Sequence, residues 1–228
     1  MTKKGYAHRI QAGHYLIEIG GGGPQRQPFV DALEPLARSL LDSLGVPYYL
    51  SWHTALFHHG LIEQQSSTIH CAIPAKKSPA RFGSFAVHFV KVSRDSFFGI
   101  EPITKYREPV VMANVEKALL DSLNRPDLAA SYPVVVAAFG AAAGRGSISG
   151  KRLVDYTITL GSGALARRVG FLMDRYEVGG SEPLLEHIGP HRRLEAFRPG
   201  DRRDSGELEG KWRLRIPRRL LLTAENLK

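Results

Sequence analysis

The chain holds a single cysteine, Cys71. No internal disulfide can form and no multi-cysteine zinc site can be assembled, so stability has to come from packing. No run approaches the roughly 18 uninterrupted apolar residues of a membrane helix, and residues 1–10 lack the apolar stretch of a signal peptide. With one unpaired thiol besides, the expected location is the cytoplasm.

Several kinds of catalytic chemistry are missing as well. Nucleotidyl transfer asks for a Gly-Ser turn followed by two carboxylates one residue apart, which hold two magnesium ions. Gly83-Ser84 is followed by Asp95 but then Phe97, and Gly161-Ser162 by Asp174 but then Tyr176, so both lack the second carboxylate. Neither Gly20–Gly23 nor Gly144-Arg145-Gly146-Ser147 leads into the Lys-Ser or Lys-Thr of a phosphate loop. There is no Gly-x-Ser-x-Gly elbow. In a strand, His70 and Cys71 point to opposite faces and cannot act as a nucleophile pair. His53, His58 and His59 have the wrong spacing to put two imidazoles on one helix face. The reading is a non-enzyme without cofactor or metal.

Charge is what the sequence does supply. Against 22 Asp and Glu stand 31 Lys and Arg, a net +9 in 228 residues, and such a field concentrates polyanions. Residues 187–228 hold eleven of the cations and six acids. Arg192, Arg193, Arg198, Arg202, Arg203, Arg213, Arg215, Arg218 and Arg219 can follow a phosphate backbone, because guanidinium forks bind phosphate in bidentate fashion. A solvated basic surface, interleaved with Asp201, Asp204, Glu207 and Glu209, is the alternative.

Periodicity places the elements. Residues 6–19 read as two short strands around a Gln11–His14 turn. Gly20–Gly23 and Pro24 mark a linker. Val30, Leu33, Leu36, Leu40, Leu41 and Leu44 recur at helical spacing, from about Glu34 to a left-handed Gly45. A short strand at 48–50 is followed by a helix capped by Ser51 and closed by Gly60. Strands are expected at 67–73, 85–92 and 109–112, then a helix capped by Asn114 with Glu116 and Lys117 as a surface pair in its first turn. Helices at 134–143, 151–160 and 163–176 follow. Residues 211–216 alternate, with Trp212, Leu214 and Ile216 on one face of a strand and Arg213 and Arg215 on the other. The sum is an α/β (α+β) fold: a mixed β-sheet packed with several helices, preceded by a β-hairpin.

In order, YYLSWHTALFHHGLIEQ from Tyr48, STIHCAIP from Ser67, FAVHFVKVSRDSFFGIE from Phe85, VVMANVEKALLDSLNRPDLA from Val110, and RLVDY with ALARRVGFLMD from Arg152 resemble the AbiEi family of antitoxins from type IV toxin-antitoxin (abortive infection) systems. The resemblance runs from about residue 6 to 216. It implies an N-terminal winged helix-turn-helix that represses its own operon and a larger C-terminal antitoxin domain. It also implies a nucleotidyltransferase-like toxin as functional partner, opposed without a stable complex. On this footing residues 1–24 are the wing hairpin of an incomplete winged-helix domain with its linker, and 25–228 the antitoxin domain. Lys3, Lys4, His8 and Arg9 are placed to touch phosphate, with no recognition helix before them to read bases. The expected nucleic-acid contacts are Lys3, Lys4, Arg9, Arg192, Arg193, Arg202, Arg203, Arg213 and Arg215. Two other readings stay open: an effector domain acting on a protein or RNA target without operator binding, and a nucleotidyltransferase-like enzyme using Asp95 or Asp174.

Overall fold

A computed structural model describes residues 6–11, 14–18, 41, 45–82, 85–103, 110–189, 194–198, 206–218 and 220. The helix expected from about Glu34 to Leu44, and the Gly20–Gly23 linker, lie outside these residues apart from Leu41, which is buried. Gly45 does take the left-handed conformation, φ 64°.

The chain begins with an antiparallel hairpin, β1 (Tyr6–Gln11) and β2 (His14–Glu18). A six-stranded mixed sheet follows, built from β3 (Tyr49–Leu50), β4 (Thr68–Ile73), β5 (Ala80–Phe82), β6 (Phe85–Lys91), β7 (Ile100–Ile103) and β8 (Val110–Ala113). Its order is β5-β6-β4-β3-β8-β7. β4 runs parallel to β6, and β3 parallel to β8, while β3–β4, β5–β6 and β7–β8 are antiparallel. The central strands are buried on both faces, which is why β4 reads Ile-His-Cys-Ala-Ile with little alternation. Pro102 sits in β7, at the sheet's edge, where a missing N–H costs no ladder bond.

Six helices are described: α1 (His53–His58), α2 (Val115–Asn124), α3 (Tyr132–Gly144), α4 (Gly150–Thr159), α5 (Gly163–Arg175) and α6 (Glu182–Ile188). α2 touches α1, α3, α4 and α5, and every residue from Glu116 to Leu123 is buried. Its Asn114 cap forms as the sequence predicts, the side-chain oxygen accepting from Lys117 N at 3.0 Å. None of the described helices is long and apolar enough to cross a membrane.

A second, three-stranded sheet, order β10-β11-β9, closes the chain: β9 (Glu195–Ala196), β10 (Glu207–Glu209) and β11 (Leu214–Ile216). It is fastened to α5 by buried and part-buried hydrogen bonds. Arg167 Nη1 donates to Trp212 O (2.9 Å), Arg168 Nε to Phe197 O (2.7 Å), and Trp212 Nε1 to Asp174 (2.8 Å). Gly170 is required beneath this indole, since a Cβ there would come within 2.2 Å of the Trp212 ring.

The fold is therefore the expected α+β arrangement with an N-terminal hairpin. Three local expectations are corrected. Ser51 does not cap α1: the cap position is Trp52 and has no side-chain cap bond, because the Ser51 hydroxyl donates instead to Asp121 (2.8 Å). The strand at 211–216 shrinks to Leu214–Ile216, with Trp212 and Arg213 in the turn before it and Arg213 at φ 54°. Glu116 and Lys117 are not a surface pair, being 2% and 0% exposed. β5, β7, β9, β10 and α6, absent from the sequence reading, are short elements whose pattern is too brief to register.

Candidate functional site

Two arrangements of charge stand out, one inside the molecule and one on it. The inner one starts from the segments that carry the family resemblance. β3 brings in Tyr49, the turn after it Ser51 and Trp52, and α2 brings in Glu116, Lys117 and Asp121. Lys117 forms an ion pair with Asp121 one helical turn on. Its ammonium also donates to the Tyr49 hydroxyl (3.2 Å) and lies 5.1 Å from the ring centres of both Tyr49 and Phe98, a cation–π position. Ser51 Oγ donates to Asp121 Oδ2 and Trp52 Nε1 to the Asp121 carbonyl (3.1 Å).

Burial pushes the Asp121 carboxyl up from its ordinary value, opposed by the Lys117 charge and by hydrogen bonds from Lys117, Ser51 and Tyr49. Burial, with the neighbouring Asp121 charge, pushes the Tyr49 phenol up as well. The second acid of the helix, Glu116, accepts from the Ser149 N–H (2.8 Å) and has Arg152 Nε at 3.6 Å, so it anchors the start of α4. Asn114 reaches the same helix through the Tyr156 hydroxyl (3.2 Å). Around Lys117 and Asp121 this network is sealed from solvent and ties residues of the 48–61 and 110–129 segments together, while Glu116 links it to the exposed Arg152; it does not open a surface for chemistry.

The outer arrangement was missed by the sequence reading. β4 and β6 run parallel with Ile73 opposite Lys91, so the chain leaves both strands at one end of the sheet. Lys76 and Lys77 follow β4 there, while Lys91 ends β6 and Arg94 comes after it; all four are exposed. Lys77 extends over the Phe89 ring, 5.6 Å from its centre. Arg81, also exposed, lies on the outer strand β5, against which the hairpin strand β1 lies. Across residues 74–96 these five cations meet one acid, Asp95. A local excess of four in 23 residues was available to a sliding count of charge, but the cations are spread along the chain and only strand pairing gathers four of them, Arg81 lying opposite Ala86 towards the other end of β6.

Of the residues expected to contact nucleic acid, Lys3, Lys4, Arg192, Arg193, Arg202 and Arg203 lie outside the described residues, as do Gly83-Ser84. Arg9 is on β1. Arg213 and Arg215 do not form the expected pair on one strand face. Arg213 is an exposed turn residue, whereas Arg215 is half-buried and donates to Gly206 O (3.2 Å), so part of its guanidinium is committed to the β10–β11 junction.

The other candidates have local roles. Asp174 accepts from Ser181, Lys211 and Trp212 (2.7, 2.6 and 2.8 Å), and Asp95 is an exposed residue of a 3-10 turn, bonded to Ser93. His59 Nε2 lies 2.8 Å from the Ala113 carbonyl. Cys71 is fully buried, which pushes its thiol up. No three His, Cys, Asp or Glu side chains among the described residues are grouped to hold a metal ion.

No family model and no curated protein matches the chain. Its fold is similar to that in the crystal structure of the RV2827C protein from Mycobacterium tuberculosis, with a TM-score of 0.63 and 16% sequence identity. The match covers 93% of this chain and 75% of that one.

Proposed function

We propose that the chain is an AbiEi-like antitoxin of a type IV toxin-antitoxin system and a transcriptional autoregulator, acting in the cytoplasm by contact and not by making or breaking bonds. One observation carries the reading: two of the segments that resemble the family, those beginning at Tyr48 and Val110, far apart in sequence, meet in a single buried network around Lys117 and Asp121. The DNA half is supported by the basic end of the sheet, where Lys76, Lys77, Lys91 and Arg94 are exposed, with Arg81 exposed on β5 opposite Ala86, towards the other end of β6. These cations face outward without a set of base-reading side chains, so they serve the phosphate backbone of the operon DNA. A nucleotidyltransferase-like toxin is the functional partner, opposed without a stable complex.

Two measurements test it. Co-expression with the toxin encoded beside it restores growth, and no rescue removes the antitoxin half. If the five cations each neutralise one phosphate, log affinity for operon DNA falls with log salt at a slope of about −4 to −5. Rescue of growth with no DNA retention even at low salt selects the effector reading, in which the target is a protein or RNA.

A further inference from the structure

A cleft of about 1020 Å³ opens along α3, at the top of the roughly 300–1,000 Å³ range of small-molecule sites. Its floor includes Val134, Ala137, Ala141 and Gly144, spaced three and four residues apart and so aligned on one side of the helix for about 15 Å. No residue of α3 beyond Tyr132 has a charged or polar side chain. Ala137 and Gly144 are nevertheless exposed, and Val134 and Ala141 half-buried. A surface helix ordinarily turns a polar face to water, and this one keeps its wet side apolar and small.

The polar groups stand on the walls. His53 comes from the start of α1, Glu63 and Gln64 from the loop after it, and Arg175 and Tyr176 from the end of α5. The Tyr176 hydroxyl donates to Val136 O (3.3 Å) and is hydrogen-bonded to Arg175, which holds the guanidinium at the wall. Burial keeps the His53 imidazole below its ordinary pKa, so near neutral pH it serves as a hydrogen-bonding group and Arg175 as the cation.

Backbone strain gathers at the same place. Four described non-glycine residues have positive φ, and three border the cleft. Trp52 (54°) precedes His53, Ala130 (79°) is itself a lining residue, and Glu177 (56°) follows Tyr176. Ala130, with ψ −57°, has the geometry of the strained γ-turn. Trp52 is held by its bond to the Asp121 carbonyl, so the buried network fixes the residue that aims His53. Strained residues of this kind persist only where their surroundings impose them, and they cluster at ligand sites.

We infer that this cleft binds a small amphipathic anion, with its apolar body on the Val134–Gly144 floor and its acidic group at Arg175. Gln64 and His53 supply hydrogen bonds to polar edges of the ligand, and the Glu63 carboxylate disfavours a second negative charge, so a monoanion fits best.

The test uses the full chain and two fluorescent probes with the same kind of apolar body, the anionic 8-anilinonaphthalene-1-sulfonate and the neutral N-phenyl-1-naphthylamine. The native protein gives saturable binding of the anionic probe with a dissociation constant below about 100 µM. Ala141→Trp, which fills the floor, abolishes binding of both probes. Should that variant fail to fold, Gly144→Leu gives the same loss from the other end of the floor. Arg175→Gln weakens the sulfonate about tenfold and leaves the neutral probe within about twofold. Displacement by decanoate identifies an aliphatic body and displacement by 1-naphthoate an aromatic one. The inference is overturned by non-saturable binding, by unchanged binding in a folded floor variant, by equal weakening of both probes in Arg175→Gln, or by displacement with neither acid.

Discussion

Lys117 and Lys91 carry the same ammonium group and end in opposite surroundings. The first is fully buried between Asp121, the Tyr49 hydroxyl and two aromatic faces; the second stands in solvent at the end of β6. Removing a charge from water costs several kcal/mol, which is recovered only if geometry and hydrogen bonds are complete. The buried set meets that condition with three donors on Asp121, and it therefore specifies how segments far apart in the chain meet. The exposed set is under no such demand and stabilises the fold little, so it is available for a partner. Charge that fixes the architecture and charge that reads the outside world are told apart by burial, not by residue type.

The sharpest way to break this contrast is Lys117→Met, which leaves the Asp121 carboxylate buried without its cation. It should destabilise the fold by about 3–5 kcal/mol in urea unfolding. Adding Asp121→Leu should recover part of that loss, and a cost below about 1 kcal/mol would mean the pair is not what holds α2 to β3.

A second buried basic group, His70, behaves oppositely and stays neutral in the fold. Burial, with repulsion from His88 and His53, lowers His70 to about 4, although Asp127 pulls the other way; its Nδ1 has no hydrogen-bond partner among the described residues. The unfolded chain binds a proton near pH 6.5 and the folded one does not, so stability is full above that pH. It falls as pH drops from about 6.5 to about 4, by about 3 kcal/mol if the shift is complete. Unfolding free energies measured across that window should show the slope, and His70→Leu should flatten it.

Between α5 and the small sheet, Gly170→Ala should cost about 1–3 kcal/mol, because the added methyl meets the Trp212 ring in a packed interior. Tryptophan fluorescence should shift with it, and an unchanged midpoint would show that the small sheet can slide on α5.

The smallest effect on stability and the largest on binding is expected at the exposed set. Changing Lys76, Lys77, Lys91 and Arg94 together to Gln should alter stability by less than about 1 kcal/mol. The same change should flatten the salt dependence of DNA binding by about 3–4 in slope. An unaltered slope would assign the phosphate contacts elsewhere, to the hairpin or to the arginines of the 187–228 region.

Much of the fold was legible because local rules and global packing agree. The Asn114 cap, the left-handed Gly45 and Gly60, and the apolar stripe of α5 each follow from one residue's conformational or hydrophobic preference. The failures share a cause. Ser51 is as good a cap on paper as Asn114, but an acceptor 70 residues away, Asp121, claims its hydroxyl. Glu116 and Lys117 look like a first-turn surface pair until α4 and β3 close over them. Trp212 and Arg213 alternate as a strand would, and the turn is imposed by docking on α5.

On the site, the sequence pointed to guanidinium-rich stretches because clusters along the chain are all that a linear count can see. The exposed cations that come together do so across β4 and β6, from positions up to 18 residues apart. The cleft was invisible for a related reason. Its floor reads in sequence as an ordinary buried alanine helix, and whether a neighbour covers both sides of such a helix is not encoded in its own residues.

By itself, the sequence determined the class of fold, the longer helices and the main strands of the large sheet, the net positive charge, and which residues could cap or break an element, since each depends on interactions within a few residues. Only the tertiary structure decided which charges are sealed and which are free, and where small residues leave an open groove. Burial is a property of what lies across the fold, and the free energy of a charge changes more on losing water than on any change in its neighbours along the chain.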